Sequence, residues 1–169
     1  MQVIDDFMPS YQFNQLQSVI MGTDFDWYYN EGILSQDEKD KYQFTHTLYD
    51  VRPPWNGERH FYPLVSSFYI NLGMRKLYRV KANLNPRTLF HRSGGYHTDN
   101  FPCPYTSIFY INTNNGWTHI KKNAKVPSSS SVKVKSVANR MVTFDSRLEH
   151  AGYTCTDEKV RMVINFNWE

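Results

Sequence analysis

VRMVINFNW, residues 160–168, alternates Met162, Ile164, Phe166 and Trp168 with Arg161, Val163, Asn165 and Asn167. In an extended chain successive side chains point to opposite faces, so the first set forms an apolar face that must be buried. If the other face were ordinary surface, Arg161 would be a solvated cation. If it lines the inside of a barrel, Arg161 sits in a polar cavity and needs an anion. The rest of the chain from Met74 onward decides between these, because it reads as short strands separated by turn residues: 75–85, 96–99, 105–112, 117–121, 132–136, 140–145, 148–151 and 159–168. Strands this short and this dense predict a double-sheet jelly roll rather than a parallel α/β sheet.

The first 74 residues supply support for one of the sheets. Val3 and Ile4 start a short strand. Tyr11, Phe13, Leu16, Val19 and Ile20 recur at roughly helical spacing up to Gly22,. FTHTLYD (44–50) is extended, and Pro53-Pro54 make the following stretch a loop,. Leu64, Phe68 and Leu72 predict a second helix over 61–72, stopped by Gly73,. The Ser/Lys-rich stretch 121–131 is expected to be a loop,. The expectation is an α+β, mainly β fold: a jelly roll (double-stranded β-helix) with N-terminal helices packed on one sheet. A length of 169 residues suits one domain, 1–74 supporting a core over 75–168,.

Composition excludes several classes. With 40% hydrophobic and 16% aromatic residues the chain can bury a sizeable core, which argues against disorder,. It has no apolar run near the roughly 18 residues a membrane span needs, and its start, MQVIDDFMPS, does not resemble a secretion signal,. A soluble, cytoplasmic protein is therefore expected. A net charge of +3 without a dense basic block is no argument for nucleic acid,. Cys103 and Cys155 allow neither a disulfide framework nor a CxxC zinc site, so a metal would be held by His and carboxylate,.

Among six histidines, His97-Thr98-Asp99 is the sharpest local feature. In a strand His97 and Asp99 share a face, and two ligands so spaced can grip adjacent positions of an octahedral ion. A third ligand must come from a distant strand. His150 is the best candidate, because Ala151-Gly152 beside it are small. Two histidines and a carboxylate leave three positions open, as in non-haem iron(II) oxygenases. Taken alone, an HxD triplet is also what a packed or solvated strand can carry.

YRVKANLNP, YHTD, TSIFYINTNNGWTHI, ANRMVTFDSRLEHAG and VRMVINFNW, in this order, resemble the 2-oxoglutarate and iron(II)-dependent oxygenases, in particular their compact prolyl-4-hydroxylase-like branch. The resemblance implies that His97, Asp99 and His150 ligate iron(II) and that Arg161 binds the distal carboxylate of 2-oxoglutarate. It also implies that Tyr110 helps hold that carboxylate and that Thr118 lines its site. The implied reaction is hydroxylation of a peptidyl, amino-acid or small-molecule substrate with O2, releasing succinate and carbon dioxide, with ascorbate as a possible supporting reductant. Retention of Asp99 separates the chain from halogenating relatives. Leu84 stands where many prolyl hydroxylases have tyrosine, an expected loss of a polar contact in the pocket.

Of the other histidines, His46 and His60 read as structural or surface groups, and His119 points away from Thr118 by strand parity,. His91 and Arg92 lie in the glycine-containing loop before His97, which could close over substrate or be plain surface,. Two other readings stand beside hydroxylation. One is a catalytically silent jelly-roll binding module. The other is a nucleobase-demethylase-like oxygenase, which would recruit Trp55, Arg59, Arg87, His91 and Arg92, a scattered set,.

Overall fold

The protein is described by a computed structural model over residues 1–33, 41–54, 57–99, 101–122 and 131–169. In chain order its elements are β1 (Gln2–Ile4), α1 (Ser10–Ile20), β2 (Tyr28–Asn30), β3 (Gln43–Asp50), β4 (Gly57–Glu58), a 3-10 turn (Tyr62–Leu64), α2 (Ser67–Asn71), β5 (Leu77–Pro86), β6 (Tyr105–Tyr110), β7 (Trp117–Lys121), β8 (Ser131–Lys135), β9 (Met141–Asp145), β10 (His150–Tyr153) and β11 (Val160–Trp168). The larger sheet has the order β1-β9-β6-β11-β5-β3-β2, with β4 on β3, and the smaller sheet has the order β10-β7-β8. The pairings are antiparallel. This is the mainly β jelly roll that the strand density predicts.

The main core lies on the outer side of the larger sheet. Met162, Ile164, Phe166 and Trp168 of β11 pack there with Phe13, Leu16 and Ile20, the inward stripe of α1. Each such side chain, once buried, contributes about 1.5–3 kcal/mol. Phe68 of α2 closes the layer, 4.8 Å between ring centroids from both Phe109 and Phe166. The opposite face of β11 is also buried: Arg161 is 2% exposed and Asn167 0%. The parity of this strand therefore separates an apolar core from a polar interior, not from solvent.

Two predicted elements differ. The helix expected over 61–72 is broken into the 3-10 turn and a short α2. Pro63 disfavours α conformation at Tyr62, and the local bonds run three residues back, as from Val65 N–H to the Tyr62 carbonyl at 2.9 Å. The predicted stop is present: Gly73, with φ of 65°, donates to Ile70 while Met74 donates to Tyr69, which is the Schellman closure of a helix.

The strand expected at 96–99 is not a strand. Ser93 bridges Tyr153 and His97 bridges His150, with the register slipping by one residue between the two bridges. Gly95, with φ of 94°, lies in the slip, and Pro102 and Pro104 withhold donors further on,. The short β2 and β4 were not predicted. Most of the expected Ser/Lys-rich loop lies outside the described residues. No helix of the described residues is long and apolar enough to cross a membrane.

Candidate active site

Between the two sheets lies a cavity of about 430 Å³. Ile108, Arg161, Val163 and Asn165 line it from the larger sheet, and Thr118, His150 and Gly152 from the smaller.

At one end His97, Asp99 and His150 converge. One ligand-type atom from each lies within 4.8 Å of the other two. His97 and Asp99 do not owe their common direction to strand alternation. His97 is instead fixed by its bridge to His150, in which each backbone N–H donates to the other's carbonyl at 3.1 and 2.9 Å. Each imidazole is also oriented by a carbonyl: His97 Nδ1 is 3.2 Å from Gly95 O, and His150 Nδ1 is 3.3 Å from Leu148 O. A carbonyl only accepts, so Nδ1 carries a proton in both rings, which leaves Nε2 as the ring atom available to a ligand.

The protonation states follow from the surroundings. Burial pushes His150 down to about 4, with Asp99 offsetting this only in part, so its ring is neutral. Burial would raise the Asp99 carboxyl, but Arg79, His150 and Asn167 outweigh it and hold the group well below the usual carboxylate range. Arg79 Nη2 donates to Asp99 Oδ1 at 2.7 Å, and Asn167 Nδ2 and Thr106 Oγ1 donate to Oδ2 at 2.8 and 3.2 Å. These three donors leave about one of the carboxylate's four lone-pair positions free. His150 Nε2, 3.9 Å from Asp99 Oδ2, is buried without a hydrogen-bond partner. An orphaned imidazole lone pair beside an ionised carboxylate and a second imidazole fits a divalent cation, which would satisfy all three.

Arg161 enters the same cavity from β11. Its Nε donates to Ser136 Oγ at 2.9 Å and its Nη2 to Thr118 Oγ1 at 2.8 Å. Thr118 Oγ1 also accepts from the Tyr110 hydroxyl at 2.8 Å, so one threonine oxygen aligns both groups. No carboxylate among the described residues pairs with Arg161. Burial lowers its pKa from the ordinary value, yet a guanidinium stays charged.

Gly152 borders both the cavity and the guanidinium: a Cβ there would come 3.4 Å from Arg161 Nη1, an ordinary contact. Gly116 is tighter still, since a Cβ would come 2.8 Å from Arg161 Cδ.

Other sequence readings fall differently. Leu84 packs on the main core and Asn85 faces the cavity, so the apolar residue at 84 removes no polar group from the pocket. His119 lies on the other side of β7 from the buried Thr118, 3.1 Å from the Tyr96 hydroxyl. His46 Nδ1 donates to the Asp26 carbonyl at 2.6 Å, and its ring packs on Phe25,. Of the scattered set raised for nucleic acid, Arg92 lines the cavity, and Trp55 lies outside the described residues. Arg79, Thr106 and Ser136 were not found by sequence reasoning. Thr106 and Asn167 carried a signal, through their shared parity with Tyr110 and Arg161,.

No protein-family model matches the chain, and no curated protein matches its sequence. Solved structures do match. A prolyl-4-hydroxylase of Pseudomonas putida superposes with a TM-score of 0.66 at 13% identity, over 99% of this chain and 92% of that one. A prolyl hydroxylase of Trichoplax adhaerens, solved with a hypoxia-inducible-factor peptide, gives 0.60 at 14% identity over 99% and 82%. A 2OG-Fe(II) oxygenase family oxidoreductase of Burkholderia pseudomallei gives 0.65 at 12% identity over 95% and 78%. Similarity at this level carries architecture, and the reaction has to be argued from the site. The chain has the double-stranded β-helix fold of the 2-oxoglutarate and iron(II) oxygenases.

Proposed function

We propose that this protein is a non-haem iron(II) and 2-oxoglutarate-dependent dioxygenase that hydroxylates an unactivated C–H bond of a peptidyl, amino-acid or small-molecule substrate. The observation that carries this reading is the pairing of two features in one cavity. One is the convergence of His97, Asp99 and His150; the other is the buried Arg161, which has no carboxylate partner among the described residues.

His97 Nε2, His150 Nε2 and one Asp99 oxygen would hold the iron, with Arg79, Asn167 and Thr106 keeping the carboxylate ionised and aimed,. Arg161 and Tyr110, aligned through Thr118, would take the distal carboxylate of 2-oxoglutarate,. The spacing suits this: Thr118 pairs with Gly152, two residues along β10 from His150, or about 7 Å by strand rise, comparable to a five-carbon dicarboxylate. The chemistry supplied by iron(II) in such a set is oxidative decarboxylation of 2-oxoglutarate to succinate and carbon dioxide, one atom of O2 entering succinate and the other the substrate. The buried walls formed by Ile108 and Val163 exclude water from that step,.

The test is succinate formation from 2-oxoglutarate with iron(II) and oxygen. The parent protein should form succinate, and His97→Ala and Asp99→Ala should not. Variants that turn over as fast as the parent would remove the three-residue assignment.

A further inference from the structure

Lys81 has no role in the proposed chemistry, and its position asks for one. It lies on β5 opposite Asn165 of β11 and Thr47 of β3, with its side chain lining the cavity. Among the described residues its ammonium has neither a hydrogen-bond nor a carboxylate partner. The other cations along this wall are matched: Arg79 bonds Asp99 at 2.7 Å and Arg52 bonds Asp50 at 2.9 Å. Among the described lining residues Asp99 is the only acid. Burial, reinforced by Arg79, pushes Lys81 down to about 8, so it is still mostly protonated at neutral pH. Arg79 and Arg52 nearby are each offset by the carboxylate they bond, Asp99 and Asp50, so the cost that remains is that of a buried ammonium without a partner, which a bound anion would supply,.

The charge count points the same way. Of the described cations lining the cavity, Arg52 and Arg79 are ion-paired, Arg92 is exposed to solvent and Lys41 has an interaction of its own, which leaves Arg161 and Lys81 as the two whose nearest acids are absent or already committed. Arg161, with its contacts to Thr118 and Ser136, lies on the flank toward the smaller sheet. Lys81 lies on the flank toward β3. A single five-carbon dicarboxylate anchored on Arg161 leaves Lys81 unmatched. Beside Lys81 the cavity wall is made of amides, Asn83, Asn85 and Asn165, whose NH2 groups can donate to an anion,. One ammonium among amides matches a singly charged planar group better than a phosphate dianion, which needs several cationic donors.

We propose that Lys81 is the anchor for a carboxylate carried by the primary substrate, so that the molecule oxidised is an organic acid or an amino acid with a free carboxylate. The proposal rests on the oxygenase reading for the occupancy of Arg161. It makes Lys81 a specificity-determining residue and leaves the iron ligands untouched.

The test uses the full chain loaded anaerobically with iron(II) and 2-oxoglutarate and titrated by calorimetry with acetate, acetamide and inorganic phosphate. Acetate should bind saturably, and acetamide, its uncharged counterpart, should not. Lys81→Met, which keeps the length of the stem, should weaken acetate by about tenfold or more. Lys81→Arg should restore binding to within about threefold of the parent. Absence of acetate binding to the parent, equal binding by Lys81→Met, equal binding of acetamide, or tighter binding of phosphate than of acetate would each overturn the assignment. The visible band of the iron(II) and 2-oxoglutarate complex, recorded on the same samples, reports separately on the oxygenase reading. If that band is absent while acetate binding still depends on Lys81, the oxygenase reading fails and the Lys81 site stands.

Discussion

Gly116→Ala tests whether the seat of Arg161 is as tight as the geometry requires, without removing any polar group. The added Cβ would lie 2.8 Å from Arg161 Cδ, from Asn114 Oδ1 and from the Tyr153 carbonyl oxygen. Ordinary contacts are about 3.5 Å, so each neighbour would have to retreat by about 0.7 Å. None of them is free to do so. Tyr153 is paired with Trp117 in the smaller sheet. Asn114 Oδ1 accepts from Gly116 N–H at 3.0 Å while its amide nitrogen donates to the Asn112 carbonyl at 3.2 Å. Arg161 is fixed by Ser136 and Thr118. Overpacking of this kind costs about 1–3 kcal/mol, or about 2–12 °C in the unfolding temperature of a chain this size. A guanidinium displaced far enough to lose one of two charge-assisted hydrogen bonds forfeits about 1.5–3 kcal/mol, which weakens 2-oxoglutarate by about 10- to 100-fold. Iron binding should be unchanged, because none of the three proposed ligands borders Gly116. Equilibrium dialysis with labelled 2-oxoglutarate, together with thermal unfolding, reads both quantities. Parent affinity combined with a lowered unfolding temperature would show that Arg161 does not set the cosubstrate site. Parent values for both would refute the packing argument itself.

Two further outcomes follow from buried polar groups. Thr118→Val preserves shape but removes the oxygen that accepts from both Arg161 and Tyr110; two stranded buried donors should cost about 2–6 kcal/mol, read as a lower urea midpoint at unchanged slope. His150 binds its proton with a pKa of about 4 in the folded protein against 6.5 ordinarily, so between those values the unfolded chain holds more protons and stability rises with pH. The metal-free protein should therefore lose about 3 kcal/mol between pH 6.5 and 4, and most of that slope should vanish in His150→Gln when urea unfolding is followed across the same range.

The parts of the fold legible in sequence are those where one physical rule acts alone. Alternation in 160–168 separates core from cavity because β11 is a long central strand paired on both sides. Phe13, Leu16 and Ile20 read as a helix face for the same reason. The segment around His97 was misread as a strand because an HxD triplet looks alternating, while its true shape is set by a register slip at Gly95 that needs knowledge of its partner, β10. The helix at 61–72 failed at Pro63, where local stereochemistry overrode a weak apolar period. At the site, His97, Asp99, His150 and Arg161 could be named from residue type and order. Arg79 and Ser136 could not, since they act on those residues across sequence separations of 20 and 25 positions. Leu84 shows the related error of one position: a neighbour by sequence, Asn85, holds the cavity-facing place.

Anaerobic addition of iron(II) and 2-oxoglutarate addresses the proposed chemistry most directly, because it needs no substrate and no turnover. The parent protein should develop the visible charge-transfer band of iron(II) chelated by a 2-keto acid, saturating at one iron and one 2-oxoglutarate per chain. Asp99→Ala and His150→Ala should abolish it, and Arg161→Met should require much more 2-oxoglutarate to reach the same intensity. A parent protein that shows no band with both ligands in excess, or a band that survives loss of Asp99 and His150, would contradict the assignment of this cavity as an iron(II) and 2-oxoglutarate site.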